Sequence, residues 1–179
     1  MNKSKIRNKI IKLRKKNFLK SGQINFLSII KILRKNKVKS KNIGGYYAYN
    51  YEMNIMSILE KFEKLGYSIS LPKINKNSKM NFFHWSTKDP MKVNQYGIPE
   101  PVSIKIKYPD ILLVPLLAYD NNLNRIGYGG GFYDRYIART KRKKKIITIG
   151  LAYSFQKVKK IPINRHDMKL DFVITEKDH

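Results

Sequence analysis

The run Ile111-Leu112-Leu113-Val114-Pro115-Leu116-Leu117-Ala118-Tyr119, bounded by Asp110 and Asp120, has no polar side chain before its closing tyrosine. A strand with one wet face alternates apolar and polar residues, whereas a strand covered on both faces is apolar throughout. The run is therefore expected to be the central strand of a parallel or mixed sheet with helices on both sides. Downstream, Asp120, Asn121 and Asn122 have turn composition, and a glycine-rich stretch leads into a helix over Phe132 to Thr140. Lys145 to Ala152 and Asp171 to Thr175 read as further strands.

Upstream the alternation continues. Ile43 to Tyr49 and Tyr67 to Leu71 have strand composition, and Met56, Leu59 and Phe62 make Met53 to Leu65 helical between them. Gln23 to Lys35 reads as a helix with Phe26, Leu27, Ile30 and Leu33 inward. Lys3 to Leu19 reads as a basic amphipathic helix with Ile6, Ile10 and Leu13 on one stripe. Asn, Lys and Pro dominate from Pro72 to Pro109, where only the aromatic cluster Phe82, Phe83, His84 and Trp85 suggests a short strand. This order gives an α/β fold: one three-layer, Rossmann-like domain with a mostly parallel or mixed central sheet flanked by helices. No repeat or linker divides the chain, so residues 1–179 are read as one domain that includes the basic helix 3–19.

A chain of 179 residues can bury a full core without disulfide or metal staples. The absence of cysteine removes disulfides, thiolate metal sites and cysteine nucleophiles together. No stretch reaches the roughly 18 apolar residues of a membrane span. Asn2 to Lys16 alternates bases with single aliphatics rather than forming the apolar core of a signal peptide. A cytoplasmic protein without a membrane partner is expected. With 38 Lys plus Arg against 12 Asp plus Glu, the net charge of +26 favours polyanionic partners. It fits equally a composition rich in Lys, Asn and Ile throughout, so charge alone does not choose among nucleic acid, nucleotides and acidic substrates.

The chemistry concentrates in Arg125-Ile126-Gly127-Tyr128-Gly129-Gly130-Gly131-Phe132-Tyr133-Asp134-Arg135. Glycines before a helix let main-chain N–H groups approach an anion, and the positive end of the helix dipole adds to them, which suits phosphate oxygens. The spacing is neither the Rossmann fingerprint nor a Walker A motif, and a plain tight turn between strand and helix is the competing reading. Asp134, one turn into that helix, reads as a ligand of a Mg²⁺ ion lying between it and the phosphates, or as a helix-dipole carboxylate or a partner for Arg135. Lys3, Arg7 and Arg14 share a stripe of the first helix that could face an anion. His166-Asp167 lies in a loop that could reach the same crevice, where His166 reads as a base or as polar surface.

Taken with Val114-Pro115 and Tyr119-Asp120, the segment Arg125 to Arg135 resembles the 5-formyltetrahydrofolate cyclo-ligase family, also called 5,10-methenyltetrahydrofolate synthetases. The resemblance extends to Lys3 and Arg7, to Tyr46 through Glu52, and to Gly97-Ile98-Pro99-Glu100-Pro101. It continues through Gln156, Pro162, His166-Asp167, Asp171 and Thr175-Glu176. It implies ATP- and Mg²⁺-dependent closure of 5-formyltetrahydrofolate, with or without a polyglutamate tail, to 5,10-methenyltetrahydrofolate, with ADP and phosphate released. By the same resemblance ATP is held by Lys3, Ser4, Lys5, Ile6, Arg7, Arg125, Ile126, Gly127, Tyr128, Gly129, Gly130, Gly131, Phe132 and Tyr133. Folate is contacted by Tyr47, Glu52 and the loop Tyr128, Gly129, Gly130, Gly131 and Phe132, and Mg²⁺ by Asp134 and Asp167. Arg125, Tyr128 and Asp134 are the expected catalytic groups. Tyr47, Phe82 and Trp85 would suit a planar pterin as walls, although Phe82 and Trp85 read first as core.

Two rivals stand beside this reading. A basic nucleic-acid-binding protein would use the net charge and Lys141 to Lys145, but it leaves the glycine loop and Asp134 without a role, so no nucleic-acid partner is expected. A relative that keeps the fold and binds nucleotide without turnover is the other. A monomer is expected.

Overall fold

The computed structural model describes residues 2–20, 22–75 and 79–178. It opens with helix α1 (Lys3–Asn17), capped by the Asn2 side chain, which accepts a hydrogen bond from the Lys5 amide. Ile6 and Ile10, one turn apart, are buried with Leu117, Ala118, Ile126 and Ile161, and this contact docks α1 on the body. Helix α2 (Phe26–Lys35) is capped in the same way by Asn25, and α3 (Met56–Lys64) follows strand β1 (Asn42–Gly44). Then come β2 (Ser68–Ile74), β3 (Met80–His84), β4 (Met91–Val93), β5 (Pro99–Pro101), β6 (Ile106–Lys107) and β7 (Ile111–Pro115). The chain closes with β8 (Ala118–Tyr119), β9 (Arg125–Ile126), α4 (Phe132–Lys141), β10 (Ile147–Leu151) and β11 (Phe172–Ile174).

The main sheet has seven strands in the order β11-β10-β7-β1-β2-β3-β6. From β11 through β2 neighbouring strands are parallel, and β3 and β6 add an antiparallel edge. The mixed sheet matches the expected fold. Its layers follow from the alternation of β7. Ile111 and Leu113 face a core built with α2 and α3 through Ile29, Leu33, Leu59 and Phe62, while Leu112 and Val114 face α4 through Tyr136 and Ile137. Ile111 through Val114 are all fully buried, as a strand covered on both faces requires.

From β1 the chain passes to β2 on one side, and β7 later adds on the other side of β1. Such a reversal leaves a crevice at the carboxyl ends of the two strands, between the loops that leave them, and ligands of open α/β sheets bind there.

Several boundaries differ from the sequence expectations. The apolar run does not form one strand to Tyr119. β7 stops at Pro115, and the chain turns into the β8-β9 hairpin. The carbonyls of Leu116 and Leu117 are then taken by the Gln156 side chain instead of a ladder partner. The strand expected over 43–49 ends at Gly44. A Cβ there would meet Leu112, Phe82 and Pro109 within 2.8 Å, so glycine permits the close packing of β1. Leu27 is exposed rather than inward, because the Asn25 cap starts α2 at Phe26 and the buried stripe runs through Ile29 and Leu33. The stretch 72–109 is more regular than its composition suggests, holding the end of β2 and all of β3 to β6; its residues 76–78 lie outside the described residues. Among the described residues no helix is long and apolar enough to cross a membrane.

Candidate active site

A cavity of about 1300 Å³ opens at the β1-β7 crevice. Its floor is the end of β7, Pro115 and Leu116. One wall is the loop after β1, with Tyr46, Tyr47, Tyr49 and Glu52, and the other is the segment Arg125 to Arg135 leading into α4. Lys3 and Arg7 of α1 and the segment Asn164 to Met168 close the far side.

The glycine loop is shaped by its backbone. Gly129 has φ +110° and Gly131 φ +65°, values that disfavour any side chain, and Gly131 begins α4 with no side-chain cap. The first amides of α4 therefore keep the anion-binding capacity of an open helix N-terminus. A Cβ on Gly127 would meet nothing within 4 Å, whereas one on Gly129 would touch the Arg7 guanidinium at 3.5 Å. Arg7 is held over the loop by an Nε hydrogen bond of 2.9 Å to the Gly127 carbonyl.

Beside the loop two carboxylates face two cations. Arg125, its side chain only 4% exposed, donates Nη1 to Asp134 Oδ1 at 2.8 Å and to the Met168 carbonyl at 2.7 Å. The Met168 amide returns to Asp134 Oδ1 at 2.9 Å. Lys3 Nζ reaches Asp167 Oδ2 at 2.5 Å, and the Asn164 amide donates to the same oxygen at 2.7 Å. Both carboxylates thus take these bonds on a single oxygen. Asp134 Oδ2 and Asp167 Oδ1 have no hydrogen-bond partner among the described residues.

On the wall formed by the loop after β1, Glu52 is 6% exposed. Burial pushes its carboxyl up to about 7, against the opposing pull of Arg14 and of the Tyr49 amide, which donates to Glu52 Oε2 at 3.0 Å. Tyr128 meets Tyr49 edge to face with ring centroids 5.8 Å apart, so an aromatic side chain of the glycine loop closes on the β1 loop. Burial raises the Tyr128 phenol above its ordinary value. The Tyr133 hydroxyl is buried without a hydrogen-bond partner among the described residues.

The cavity thus gathers Lys3, Arg7, Tyr47, Glu52, Arg125, Asp134, Asp167 and the whole of Ile126 to Tyr133. Ser4, Lys5 and Ile6 do not line it. Ile6 is 1% exposed and packs under the β8-β9 hairpin. Phe82 and Trp85 are core residues, 0% and 3% exposed. Arg14, placed by helical spacing on an anion-facing stripe, is buried at 1% exposure and turned toward protein groups. Sequence reasoning missed the β4-β5 hairpin, whose Asn94, Tyr96, Ile98 and Pro99 roof the cavity, and Arg139 of α4 and Arg142 just after it, which also line it. The four- and three-residue steps from Arg135 to Arg139 to Arg142, which put the three on one helical face, were the available signal for the last two.

Relatives of known name share this architecture. The 5-formyltetrahydrofolate cyclo-ligase of Haemophilus influenzae is 34% identical over 139 residues, 74% of each chain. That of Escherichia coli is 28% identical over 145 residues, 77% of this chain and 79% of its own. The solved structure of the Aquifex aeolicus 5,10-methenyltetrahydrofolate synthetase superimposes with a TM-score of 0.76 at 27% identity, covering 99% of this chain and 91% of that one. The Mycoplasma pneumoniae 5,10-methenyltetrahydrofolate synthetase has the same fold, with a TM-score of 0.71 at 22% identity over 99% and 100% of the two chains. With the 5-formyltetrahydrofolate cyclo-ligase family model matching residues 1–176, and with the glycine loop, paired carboxylates and buried glutamate converging on one crevice, the chain belongs to that family.

Proposed function

We propose that the protein converts 5-formyltetrahydrofolate to 5,10-methenyltetrahydrofolate at the expense of ATP, with Mg²⁺, releasing ADP and phosphate. The observation that carries this reading is one cavity in which an uncapped glycine loop with Lys3, Arg7 and Arg125 adjoins an aromatic wall with a buried carboxylate. The first half suits a triphosphate and the second a planar heterocycle with ring N–H donors.

The reaction needs the two ligands in line. The formyl oxygen attacks the γ-phosphorus as the bond to the β-phosphate oxygen breaks and ADP leaves. N10 then attacks the activated formyl carbon, the carbon–oxygen bond to phosphate breaks, and the N10 proton is lost. Such phosphoryl transfer is catalysed by positioning and charge neutralisation rather than by a covalent enzyme intermediate. Arg7 and Lys3 would neutralise the triphosphate, the amides of Gly129 to Phe132 would hold the transferring group, and Arg125 would fix Asp134. Tyr47, Tyr49 and Tyr128 would enclose the folate, with Glu52 accepting hydrogen bonds from its ring N–H groups.

The donor set suits Mg²⁺, which binds through one or two carboxylates and completes its shell with phosphate oxygens and water. Asp134 and Asp167, each with an oxygen lacking a partner among the described residues, would hold it, and no cluster of three or more ligating side chains occurs there. When bound it would supply positive charge to the phosphates. One chain supplies every group named, so the enzyme is expected to work as a monomer.

Purified protein given ATP, Mg²⁺ and 5-formyltetrahydrofolate tests the reading. Methenyl absorbance rising with ADP release is expected. Nucleotide binding without turnover would indicate an inactive relative, and salt-sensitive RNA binding without turnover would overturn the assignment.

A further inference from the structure

Arg14 is an arginine taken out of water. It sits on α1 about two turns beyond Arg7, is 1% exposed, and forms no ion pair with a carboxylate among the described residues. Its fork instead touches three separate segments. Nη1 donates to the Tyr128 hydroxyl at 3.0 Å and to the Asn50 carbonyl at 3.4 Å, and Nη2 donates to the Leu116 carbonyl. Nε is buried without a hydrogen-bond partner among the described residues. A buried guanidinium with an unpaired nitrogen is a poor way to stabilise a fold, since an apolar side chain of similar volume would pack at lower cost.

The three partners explain why it is there. Leu116 follows β7 and is the fixed base, its carbonyl also held by Gln156. Asn50 belongs to the turn that carries Glu52. That turn is strained: Asn50 has φ +47° and Tyr51 φ +60°, left-handed values that a tyrosine rarely adopts, and the Glu52 amide closes it on the Tyr49 carbonyl. Tyr128 is the side chain of the glycine loop that closes on Tyr49. Arg14 also lies over the Tyr128 ring, 5.9 Å from its centroid. One guanidinium therefore joins the nucleotide loop to the turn that presents Glu52.

We propose that Arg14 is a positioning residue that couples the two halves of the cavity, so that filling either one raises the affinity of the other. The proposal deepens the functional reading above and rests on it for the identity of the two ligands. A nucleotide on the loop amides fixes Tyr128; Tyr128 fixes Arg14; and Arg14 fixes the Asn50 carbonyl in the turn that folate meets. Coupling of this kind is reciprocal.

Equilibrium binding tests it without requiring turnover. Calorimetric titration measures the Kd of 5-formyltetrahydrofolate with and without a saturating non-hydrolysable ATP analogue, and the analogue's Kd with and without the folate. In the wild-type protein each ligand is expected to tighten the other by about fivefold or more. In Arg14→Lys that factor should fall to about one, while each Kd measured alone stays within about threefold; in Tyr128→Phe, which alters a side chain that itself lines the cavity, the factor should likewise fall to about one whatever the two single-ligand Kd values. A merely structural role would lower thermal stability and weaken both single-ligand affinities while leaving the coupling. Should Arg14→Lys fail to fold, Tyr128→Phe carries the test, because it removes only the hydroxyl that Arg14 meets. Wild-type protein that binds both ligands without coupling, or Tyr128→Phe that keeps the coupling, overturns the proposal alone. Wild-type protein that binds neither ligand removes the functional reading, and the proposal with it.

Discussion

Glu52 should make the free protein less stable as the pH rises from acid to neutral. Its carboxyl is pushed from 4.5 in the unfolded chain to about 7 in the folded one, chiefly by burial. A raised carboxylate midpoint means that the folded state binds the extra proton between these values, so stability falls with pH across that window and the loss is complete above about 7. At about 1.4 kcal/mol per tenfold change in proton affinity, the shift corresponds to a loss of about 3 kcal/mol. Glu52→Gln keeps the shape and cannot ionise. Urea unfolding of both proteins at a series of pH values isolates the effect, since the other titrating groups are common to them. The variant is expected to gain on the wild type by about 3 kcal/mol between pH 4.5 and 7.5. A constant difference, or one that shrinks with pH, would refute the view that this carboxylate is held desolvated and without a paired cation. Folate should reverse the penalty, because ring N–H donors compensate the charged form; wild-type protein should therefore release a proton on binding near pH 6, seen as a buffer-dependent calorimetric enthalpy that the Gln variant lacks.

Two further substitutions probe the phosphate side. Lys3→Ala removes the cation that reaches Asp167 at the cavity edge and should raise the KM for ATP about tenfold with little change in kcat, and an unaltered KM would take α1 out of the site. Asp134→Asn keeps an acceptor for Arg125 and the Met168 amide and so should fold normally, yet kcat should fall by about a hundredfold and the Mg²⁺ concentration needed for half activity should rise; the same Mg²⁺ titration curve in both proteins would remove the metal role.

The fold was legible where burial on both faces left a mark, and the site where backbone geometry demanded particular residues. Ile111 to Val114 announced a central strand because a covered strand has nowhere to put a polar side chain. Gly129 and Gly131 announced the loop because their φ values admit little else. What escaped was set by partners distant in sequence. Helical spacing cannot tell Arg14 from Arg7. One is buried and the other reaches the glycine loop only because Tyr128, Asn50 and Leu116 converge on one end of α1 and the Gly127 carbonyl on the other. The roof over the cavity was equally hidden, since β4 and β5 are three-residue strands whose pairing depends on the turn closed by the Asn94 side chain rather than on any apolar periodicity. The resemblance to a known family supplied the roles of Asp134 and Asp167; residue chemistry alone left Asp134 between a metal ligand and a helix-dipole carboxylate, and the hydrogen bond from Arg125 is compatible with both.

Charge carries more information in this protein where it is scarce. With 38 basic and 12 acidic residues, an unpaired lysine says little, but each carboxylate is drawn from a small set. Several of them, none lining the crevice, fix side chains or backbone of the scaffold. Asp110 accepts from Ser40 and Lys144, Asp171 from Thr148 and Lys141, Asp178 from Thr175, and Asp120 holds its own hairpin and the Ile161 amide. Glu52, Asp134 and Asp167 are different, for all three line one cavity whose remaining charge is positive. A site meant only to attract polyanions would gain by omitting them, since each carboxylate repels phosphate. Arg125 and Lys3 offset part of that repulsion, but Asp134 and Asp167 each keep an oxygen without a partner among the described residues and Glu52 has no paired cation there, so cationic or N–H-donating groups entering the crevice, such as the proposed metal-bound nucleotide and folate ring, would satisfy all three. The pattern of negative charge thus argues against a generic anion-binding surface and for two chemically different ligands held side by side.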